Sequence, residues 1–300
     1  MKIYLLNNSK LNEVNEKVFK LEREIQKVFE DNLETVMGLT LVRSEFTIKS
    51  KRIDTLAYDK QAKAFIIIEY KRDKNISVVD QGFTYLSLML ENKADFIVEY
   101  NEQLKQNLQR NDIDWTQTRV AFVSPSFTEN QILATNFKDI AIELWEVKRY
   151  ENNSIVINEV KKSRGAESIK PITEKNKELK RVTDEIVVYT EEDLLVTGSD
   201  ETRELYYKFK DGILNLADDI QIVANKQYVA FRKSKNIVCM TIQKKQIRMW
   251  IGAKAGTLDD TKGITTDVSN TGHWGTGDYE VNVNSDRDLE YIMSLIKQVL

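Results

Sequence analysis

Two acidic residues and a lysine lie close together in the first half of the chain, in a pattern that could do chemistry. Asp54 lies in the segment RIDTLAY, and Glu69 and Lys71 come at the end of the apolar run AFIIIEYK. Because side chains alternate along a strand, Glu69 and Lys71 are expected on one face and Tyr70 on the other. A hairpin that pairs the two segments would bring Asp54 close to Glu69.

These groups suit hydrolysis of a phosphate ester with a divalent cation. The two carboxylates and the main-chain carbonyl of Tyr70 are hard oxygen ligands of the kind that Mg²⁺ or Mn²⁺ prefers. Such an ion stabilises charge on a phosphoryl group and lowers the pKa of a bound water. Lys71 would orient the attacking water or neutralise the phosphate in the transition state.

The alternative interpretation is an ordinary ion pair on an exposed strand edge. The apolar run argues against it, because three charges at the end of a buried strand are costly unless they form a site.

The surrounding pattern predicts the elements that position these residues. Apolar residues recur at helical spacing from Val14 to Phe29, with Ser9 or Asn12 as a cap and Gly38 as a left-handed stop. Strands are predicted at 45–49, 52–58, 64–70, 119–123, 141–149 and 154–160, and helices at 78–91, 94–108 and 127–136.

Residues 9–160 resemble the PD-(D/E)XK nuclease superfamily, and within it the NucS-like branch of endonucleases. The resemblance is carried by LEREIQKVFEDNLE, by SEF followed by RIDTLAYD, by IIIEYKRD and by VVDQGFTYL. It implies a restriction-endonuclease-like mixed sheet flanked by helices. It also implies that Asp54, Glu69 and Lys71 are catalytic, and that Asp54, Glu69 and Tyr70 hold Mg²⁺ or Mn²⁺.

The same resemblance adds residues around this core. Gln81 and Tyr85 match a Gln-x-x-x-Tyr on the following helix, where Gln81 would touch a water of the metal or the scissile phosphate and Tyr85 the nucleic acid. A glutamate of the first helix often completes the metal shell in the superfamily, and Glu22 fits better than Glu24. Either could instead lie on a solvated helix face.

Three charged residues beside this core have less certain roles. Glu45 matches a glutamate before the core hairpin in similar sequences, and its role could be structural. Arg52 and Arg72 flank the site and could hold phosphate, although exposed arginines beside carboxylates need no special purpose.

A change in composition divides the chain. Only Gly38 and Gly82 precede residue 165, and nine further glycines follow. The polar stretch around Pro171 is typical of a linker, with a helix predicted at 173–184. We therefore expect a nuclease-like domain at 1–165, a linker at 166–195 and a smaller α+β domain at 196–300. In that domain the pattern predicts a helix at 201–217, strands at 227–232, 237–243, 246–251 and 279–283, and a helix at 286–299.

The second half offers a weaker signal for nucleic-acid binding. Between Asp219 and Asp259 there are eight basic residues and no acidic ones. A twisted antiparallel meander with basic and aromatic residues on one face could follow a phosphate backbone, although lysines at hairpin turns are also routine. The candidate contacts are Arg232, Lys233, Lys235, Lys244, Lys245 and Arg248.

The second half also resembles an uncharacterised domain at the C-terminus of restriction-associated bacterial proteins. The similarity lies in KNIVCMTIQKKQIRMWI and DVSNTGHWGTGDYEV. In the second segment, His273 and Trp274 occupy a glycine-rich loop that could bind a ligand or could simply pack.

Composition excludes several other classes of protein. The chain has 300 residues, one cysteine, one histidine and a formal net charge of −3. A disulfide framework and a zinc site built from cysteine or several histidines are therefore excluded. No apolar run is long enough for a membrane span, and no signal peptide is evident, so a cytoplasmic location is expected.

The hypothesis that follows is a Mg²⁺-dependent endonuclease that acts on DNA in restriction, repair or defence; it could form a homodimer, and the sequence leaves the oligomeric state open. The alternative is a nucleic-acid-binding or scaffold protein that keeps the nuclease fold without turnover.

Overall fold

The computed structural model describes residues 2–72, 77–163, 165–233 and 235–300. Asp73, which ends the motif IIIEYKRD, lies outside the described residues. The chain divides into two compact units, Met1–Val188 and Tyr189–Leu300. None of the described helices is long and apolar enough to cross a bilayer.

The first unit is built around a mixed six-stranded sheet. The strands of this sheet are β3 (Thr40–Ile48), β4 (Lys51–Asp59), β5 (Ala64–Tyr70), β6 (Arg119–Ser124), β7 (Ile142–Arg149) and β8 (Ile155–Glu159), and the preceding strands β1 (Ile3–Asn7) and β2 (Lys10–Val14) form a separate two-stranded sheet. The order in the sheet is β3-β4-β5-β6-β7-β8. Strands β5, β6 and β7 run parallel, and the other neighbours are antiparallel.

Helices cover both faces of this sheet. They are α1 (Glu22–Glu30), α2 (Leu33–Met37), α3 (Val78–Glu91), α4 (Lys93–Leu104), α5 (Glu129–Thr135), α6 (Lys170–Thr173) and α7 (Lys177–Glu185). Short 3-10 turns lie at Arg110–Asp112 and Trp115–Gln117. Helices α1 and α2 pack on the face that includes Ile66 and Tyr70, and α3 and α4 pack on the face that includes Phe65 and Ile67. Burial on both faces explains why β5 is apolar from Ala64 to Ile68.

The predicted first helix is correct only in its second half. Helix α1 begins at Glu22, and residues 3–14 form the hairpin β1–β2. The turn residues Asn8 and Ser9 have φ values of 47° and 64°. Such turns join two strands tightly, and asparagine tolerates this conformation. The apolar spacing from Val14 to the later residues therefore runs through a strand end and a helix, and does not mark one continuous helix.

The segment predicted as a linker contributes to the core of the first unit. Helices α6 and α7 fall within it, and Ile169, Val182 and Ile186 are buried against the face covered by α3. The polar composition of the stretch reflects the outer faces of these short helices. Residues 166–188 therefore belong to the first unit.

The second unit is an antiparallel sheet with helices on one face. Its elements are α8 (Glu191–Leu195), α9 (Asp200–Leu214), β9 (Gln221–Ala224), β10 (Val229–Arg232), β11 (Asn236–Ile242), β12 (Ile247–Ile251), β13 (Thr266–Asp267), β14 (Tyr279–Val283) and α10 (Leu289–Lys297). The order is β13-β14-β12-β11-β10-β9. Helices α9 and α10 form the main core with one face. The prediction of a mixed sheet flanked by helices, followed by a smaller α+β domain, is confirmed.

Candidate active site

The predicted pair of carboxylates lies where β4 and β5 separate. The last paired residues of the two strands are Thr55 and Ile68, so one further step of the register would place Asp54 opposite Glu69. At that step the main-chain N–H groups donate to side-chain carboxylates of the opposite strand instead of to main-chain carbonyls. The N–H of Asp54 donates to Oε1 of Glu69 at 3.2 Å, and the N–H of Tyr70 donates to Oδ2 of Asp54 at 3.0 Å. Each carboxylate is thus oriented by the main chain of the opposite strand.

Lys71 and helix α3 complete this side of the site. Nζ of Lys71 lies 3.0 Å from Oε2 of Glu69, and the lysine side chain is only 15 % exposed. Nε2 of Gln81 lies 3.3 Å from the same oxygen and 3.1 Å from the hydroxyl of Tyr85. The structure therefore gathers five predicted residues in one place, with the side chain of Tyr70 buried on the opposite face, as alternation requires.

The surroundings of Asp54 disfavour its charged form. Burial, and then the negative charge of Glu69, raise the pKa of Asp54 to about 6, against the opposing influence of the Tyr70 N–H and Lys71. Burial and the same glutamate raise the pKa of Tyr85, so that its phenol stays protonated. A cation bound between the carboxylates would remove the repulsion between Asp54 and Glu69.

The donor set fits a hard divalent cation. In the described part of the chain, no three acidic, histidine or cysteine side chains cluster around a common point. The site therefore offers two carboxylates, and Mg²⁺ commonly takes one or two carboxylates together with waters and substrate oxygens. Oε1 of Gln81 is buried without a hydrogen-bond partner beside Glu69, as expected of an acceptor that faces a water in the functional site. The ion itself stays a prediction.

Helix α1 reaches the site from the other face of the sheet. Oε1 of Glu22 accepts a hydrogen bond from the N–H of Arg72 at 2.9 Å, immediately beyond Lys71. Glu24 instead accepts from the N–H groups of Lys20 and Leu21 and so caps its own helix. These bonds lower the pKa of Glu24. Of the two candidates, the structure places Glu22 at the end of β5, and its part in metal binding stays a prediction.

A buried glutamine on the same helix was not predicted from the sequence. Gln26 is 8 % exposed, and its Nε2 lies 2.9 Å from the carbonyl of Asp54 and 3.1 Å from Oγ of Ser44. The amide also donates to Glu30, four residues along the helix. The available signal was its spacing, since Glu22, Gln26 and Glu30 follow at four-residue steps along one helical face.

The two flanking arginines are held by other groups. Arg52 forms an ion pair with Glu45, and the arginine side chain is 69 % exposed. This ion pair gives Glu45 a structural contact. The guanidinium of Arg72 donates to the carbonyl of Lys20 at 2.8 Å. Both lie at the edge of the site, and contact with phosphate stays a prediction for each.

The basic candidates of the second unit do not form one surface. Lys233 and Lys235 lie in the turn before β11, and Lys244 and Lys245 in the turn after it. The seven residues of β11 put about 20 Å between these turns. Nζ of Lys233 lies 3.2 Å from a carboxylate oxygen of Asp219. Lysines that are close together in the sequence are thus divided between two ends of the sheet.

Two of the candidates lie on the sheet face opposite α9 and α10. Arg248 forms an ion pair with Glu280, and Arg232 donates to Asn236, which contacts Cys239. In the predicted loop, the ring of His273 stacks on a strand tryptophan and Trp274 is 49 % exposed.

Comparison with known proteins finds a relative over the whole chain and a domain match in its second half. An uncharacterized protein of Haemophilus influenzae (strain ATCC 51907 / DSM 11121 / KW20 / Rd) is 53 % identical over 300 residues, which are 100 % of this chain and 99 % of that protein. The chain belongs to the same family as that protein. Residues 191–298 match a domain of unknown function, DUF5655.

Two solved structures show limited similarity to the chain. One is the crystal structure of a repair endonuclease from Pyrococcus abyssi, with 20 % identity, 39 % of this chain and 43 % of that chain covered, and a TM-score of 0.22. The other is an EndoMS–dsDNA2 complex, with 17 % identity, 40 % and 47 % coverage, and a TM-score of 0.21. The chain matches less than half the length of either protein.

Proposed function

We propose that this protein is a metal-dependent endonuclease that hydrolyses phosphodiester bonds of DNA, in restriction, repair or defence. The observation that carries the proposal is the reciprocal bonding of Asp54 and Glu69 across the separated strands, with Lys71 on the same edge. Two main-chain bonds fix the carboxylates where burial, and then the charge of Glu69, raise the pKa of Asp54. Such an arrangement lowers the stability of the protein, which is typical of residues that serve a functional site, here the binding of a cation.

The side chains divide the work of hydrolysis. Asp54 and Glu69 would hold Mg²⁺ or Mn²⁺, which when bound would polarise the scissile phosphate and acidify the attacking water. Lys71 places its amino group at the edge of the site, where it would stabilise charge that develops on the phosphate. Gln81 is held through its amide nitrogen by Glu69 and Tyr85, which leaves its Oε1 to accept a hydrogen bond from the attacking water and so orient it.

Cleavage assays with labelled nucleic acids test the proposal. The panel contains single-stranded, duplex, mismatched and branched DNA and matching RNA, each with Mg²⁺, Mn²⁺ or a chelator. We expect metal-dependent cleavage of at least one DNA substrate. Asp54→Asn and Glu69→Gln should each reduce the rate by at least about 10²-fold, because each removes a charged ligand of the ion.

Glu34→Gln is the matched control, because this exposed carboxylate of α2 lies in the same unit. Its cleavage rate should equal that of the wild type. Binding of Mn²⁺, measured by calorimetry, should weaken in the two site variants and remain unchanged in the control. Equal cleavage by Asp54→Asn and wild type would overturn the assignment. Binding of DNA without cleavage under any condition would support a scaffold role instead.

A further inference from the structure

The face of the second unit's sheet that α9 and α10 leave uncovered carries an arginine fixed in direction. Nε and Nη2 of Arg248 lie 3.2 Å and 2.5 Å from the two carboxylate oxygens of Glu280. The guanidinium carbon also lies 5.3 Å from the ring centre of Trp250. The indole N–H of Trp250 donates to the same glutamate at 3.1 Å. Arg248 therefore has little freedom to lose when it binds a ligand.

This arginine still faces solvent. Its side chain is 36 % exposed, whereas that of Glu280 is 8 % exposed. The two bonds to Glu280 involve Nε and Nη2, so Glu280 does not engage the two N–H groups of Nη1. A planar guanidinium held in this way is suited to bind a phosphate oxygen.

A glycine-rich loop lies directly on the same face. At Gly277, where φ is 106°, an added Cβ would lie 1.8 Å from the carbonyl oxygen of Ile251. At Gly275, where φ is 91°, it would lie 2.7 Å from Cβ of Cys239. These close contacts fix the loop on the sheet, because only glycine fits both the conformation and the space.

The loop carries two aromatic side chains, one of which packs on the tryptophan that Arg248 also contacts. The ring of His273 stacks on Trp250, with ring centres 5.9 Å apart and an interplanar angle of 20°. Its Nδ1 lies 2.9 Å from the carbonyl oxygen of Thr271 and so donates to it, which leaves Nε2 as an acceptor in the neutral ring. The next residue, Trp274, is 49 % exposed. The anchored loop thus exposes the indole of Trp274 to solvent.

We propose that this face binds single-stranded nucleic acid, with a base stacked on Trp274 and its phosphate bound by Arg248. Exposed aromatic groups beside fixed cations are typical of surfaces that bind single strands. The strands β10, β11 and β12 carry no acidic residue, and the acidic residue of β14 on this face, Glu280, is paired with Arg248. Nε2 of His273 would accept a hydrogen bond from the same nucleotide. The proposal concerns the second unit alone and does not depend on cleavage by the first.

Binding of short oligonucleotides to the full chain in a chelator tests the proposal, since cleavage is then suppressed. The probes are a fluorescein-labelled oligothymidylate, its RNA counterpart and an abasic strand of equal length and charge. Binding is followed by fluorescence anisotropy at low salt. Trp274→Ala should weaken binding of the two base-containing strands by about 10-fold, within the range of base stacking. Its effect on the abasic strand should be less than about 2-fold.

Further variants separate stacking from general damage. Trp274→Phe should restore most of the affinity, because it keeps an aromatic face. Arg248→Gln should weaken binding of all three strands, since phosphate is common to them. Tyr207→Ala, at a 47 % exposed position on α9, is the matched control and should bind like the wild type. Absence of binding to any strand, or an equal loss by Trp274→Ala on the base-containing and abasic strands, would overturn the proposal. Either result would leave the loop as a contact for a protein partner.

Discussion

The side-chain amide of Gln26 and the main-chain carbonyl of Asp54 lie 2.9 Å apart, which ties helix α1 to the strand that carries the first carboxylate. Asp54 is the point at which β4 leaves its regular pairing with β5. A strand end that has lost its ladder bonds needs other partners to keep one conformation. Gln26 supplies such a bond from the helix face.

We therefore predict that Gln26→Ala weakens both the fold and the site. The free energy of unfolding should fall by about 1–3 kcal/mol, because buried partners of the amide are left unsatisfied. Urea denaturation measures this loss, and calorimetry should show weaker binding of Mn²⁺. Lys27→Ala is the control on the same helix, since this lysine side chain is 77 % exposed. An equal loss in the two variants would show that Gln26 has no special role.

The raised pKa of Asp54 predicts how stability depends on pH without metal. The pKa is about 6 in the folded chain and 3.8 for an ordinary aspartate. The folded state therefore holds the proton more tightly, and stability falls as pH rises from about 4 to 6. The loss is at most about 3 kcal/mol, at about 1.4 kcal/mol per pKa unit. Asp54→Asn removes the charge and keeps an acceptor for the N–H of Tyr70.

In a chelator, Asp54→Asn should therefore be more stable than wild type above pH 6 and equal to it near pH 4. Asp54→Ala should gain less, because the buried N–H of Tyr70 loses its acceptor. Thermal denaturation across this pH range measures both effects. The same stability difference at every pH would contradict a role for the aspartate charge. Added Mg²⁺ should stabilise the wild type and leave Asp54→Asn unchanged.

The position of Lys71 predicts a defect in turnover rather than in binding. Lys71→Ala should reduce kcat by about 10²-fold, the scale of one electrostatic or proton-transfer group. Affinity for DNA in a chelator should change by less than about 3-fold. Lys51→Ala, at an exposed position on β4, serves as the control for loss of one charge. If the defect lies wholly in affinity, Lys71 is a phosphate contact and not a catalytic group.

The sequence was most informative where one periodicity acts alone. Alternation along β5 predicted correctly that Glu69 and Lys71 share a face with Tyr70 opposite, because the strand is buried on both sides and its register is firmly set. Apolar spacing at the N-terminus was misleading, because Val14 ends a hairpin strand and Ile25 belongs to a helix. A continuous hydrophobic pattern does not show where one element passes into another.

Other features depend on contacts between distant residues, which spacing does not show. Gln26 looked like an ordinary helical glutamine, and its value comes from its bond to Asp54. Lys233 and Lys244 looked like parts of one basic stretch, although β11 holds them at opposite ends of the sheet. Charge counted along the chain predicts a surface only when the topology brings the charges together.

Cys239 predicts a test of integrity for the second unit. It is the only cysteine of the chain, it is buried, and burial raises the pKa of its thiol to about 11. Since the thiolate is the reactive form, the native protein should react with a thiol reagent at pH 8 at least about 10²-fold more slowly than the protein in denaturant. The rate of colour release from Ellman's reagent measures this. Fast reaction in the native state would contradict the burial of the thiol.

A substitution at Gly277 tests whether the loop protects Cys239 on the uncovered face of this sheet. An alanine there would combine a φ of 106° with a Cβ 1.8 Å from the carbonyl oxygen of Ile251, so the loop must leave its place. Since Gly275 lies so close to Cys239 that an added Cβ would be 2.7 Å from the cysteine Cβ, Gly277→Ala should expose the thiol and raise its reaction rate by at least about 10-fold. Binding of the oligothymidylate should fall with it, because His273 and Trp274 lose their anchored position.

Gly256→Ala separates crowding from backbone strain alone. Gly256 has a φ of 79°, and an added Cβ would have no neighbour within 4 Å. The variant therefore carries only the cost of a left-handed alanine, about 1–2 kcal/mol, and its thiol should react at a rate close to that of the wild type. If both variants expose Cys239 equally, strain and not contact with the sheet determines the loop. If neither does, the thiol is protected by the strands themselves, and the loop can leave the sheet without opening the unit.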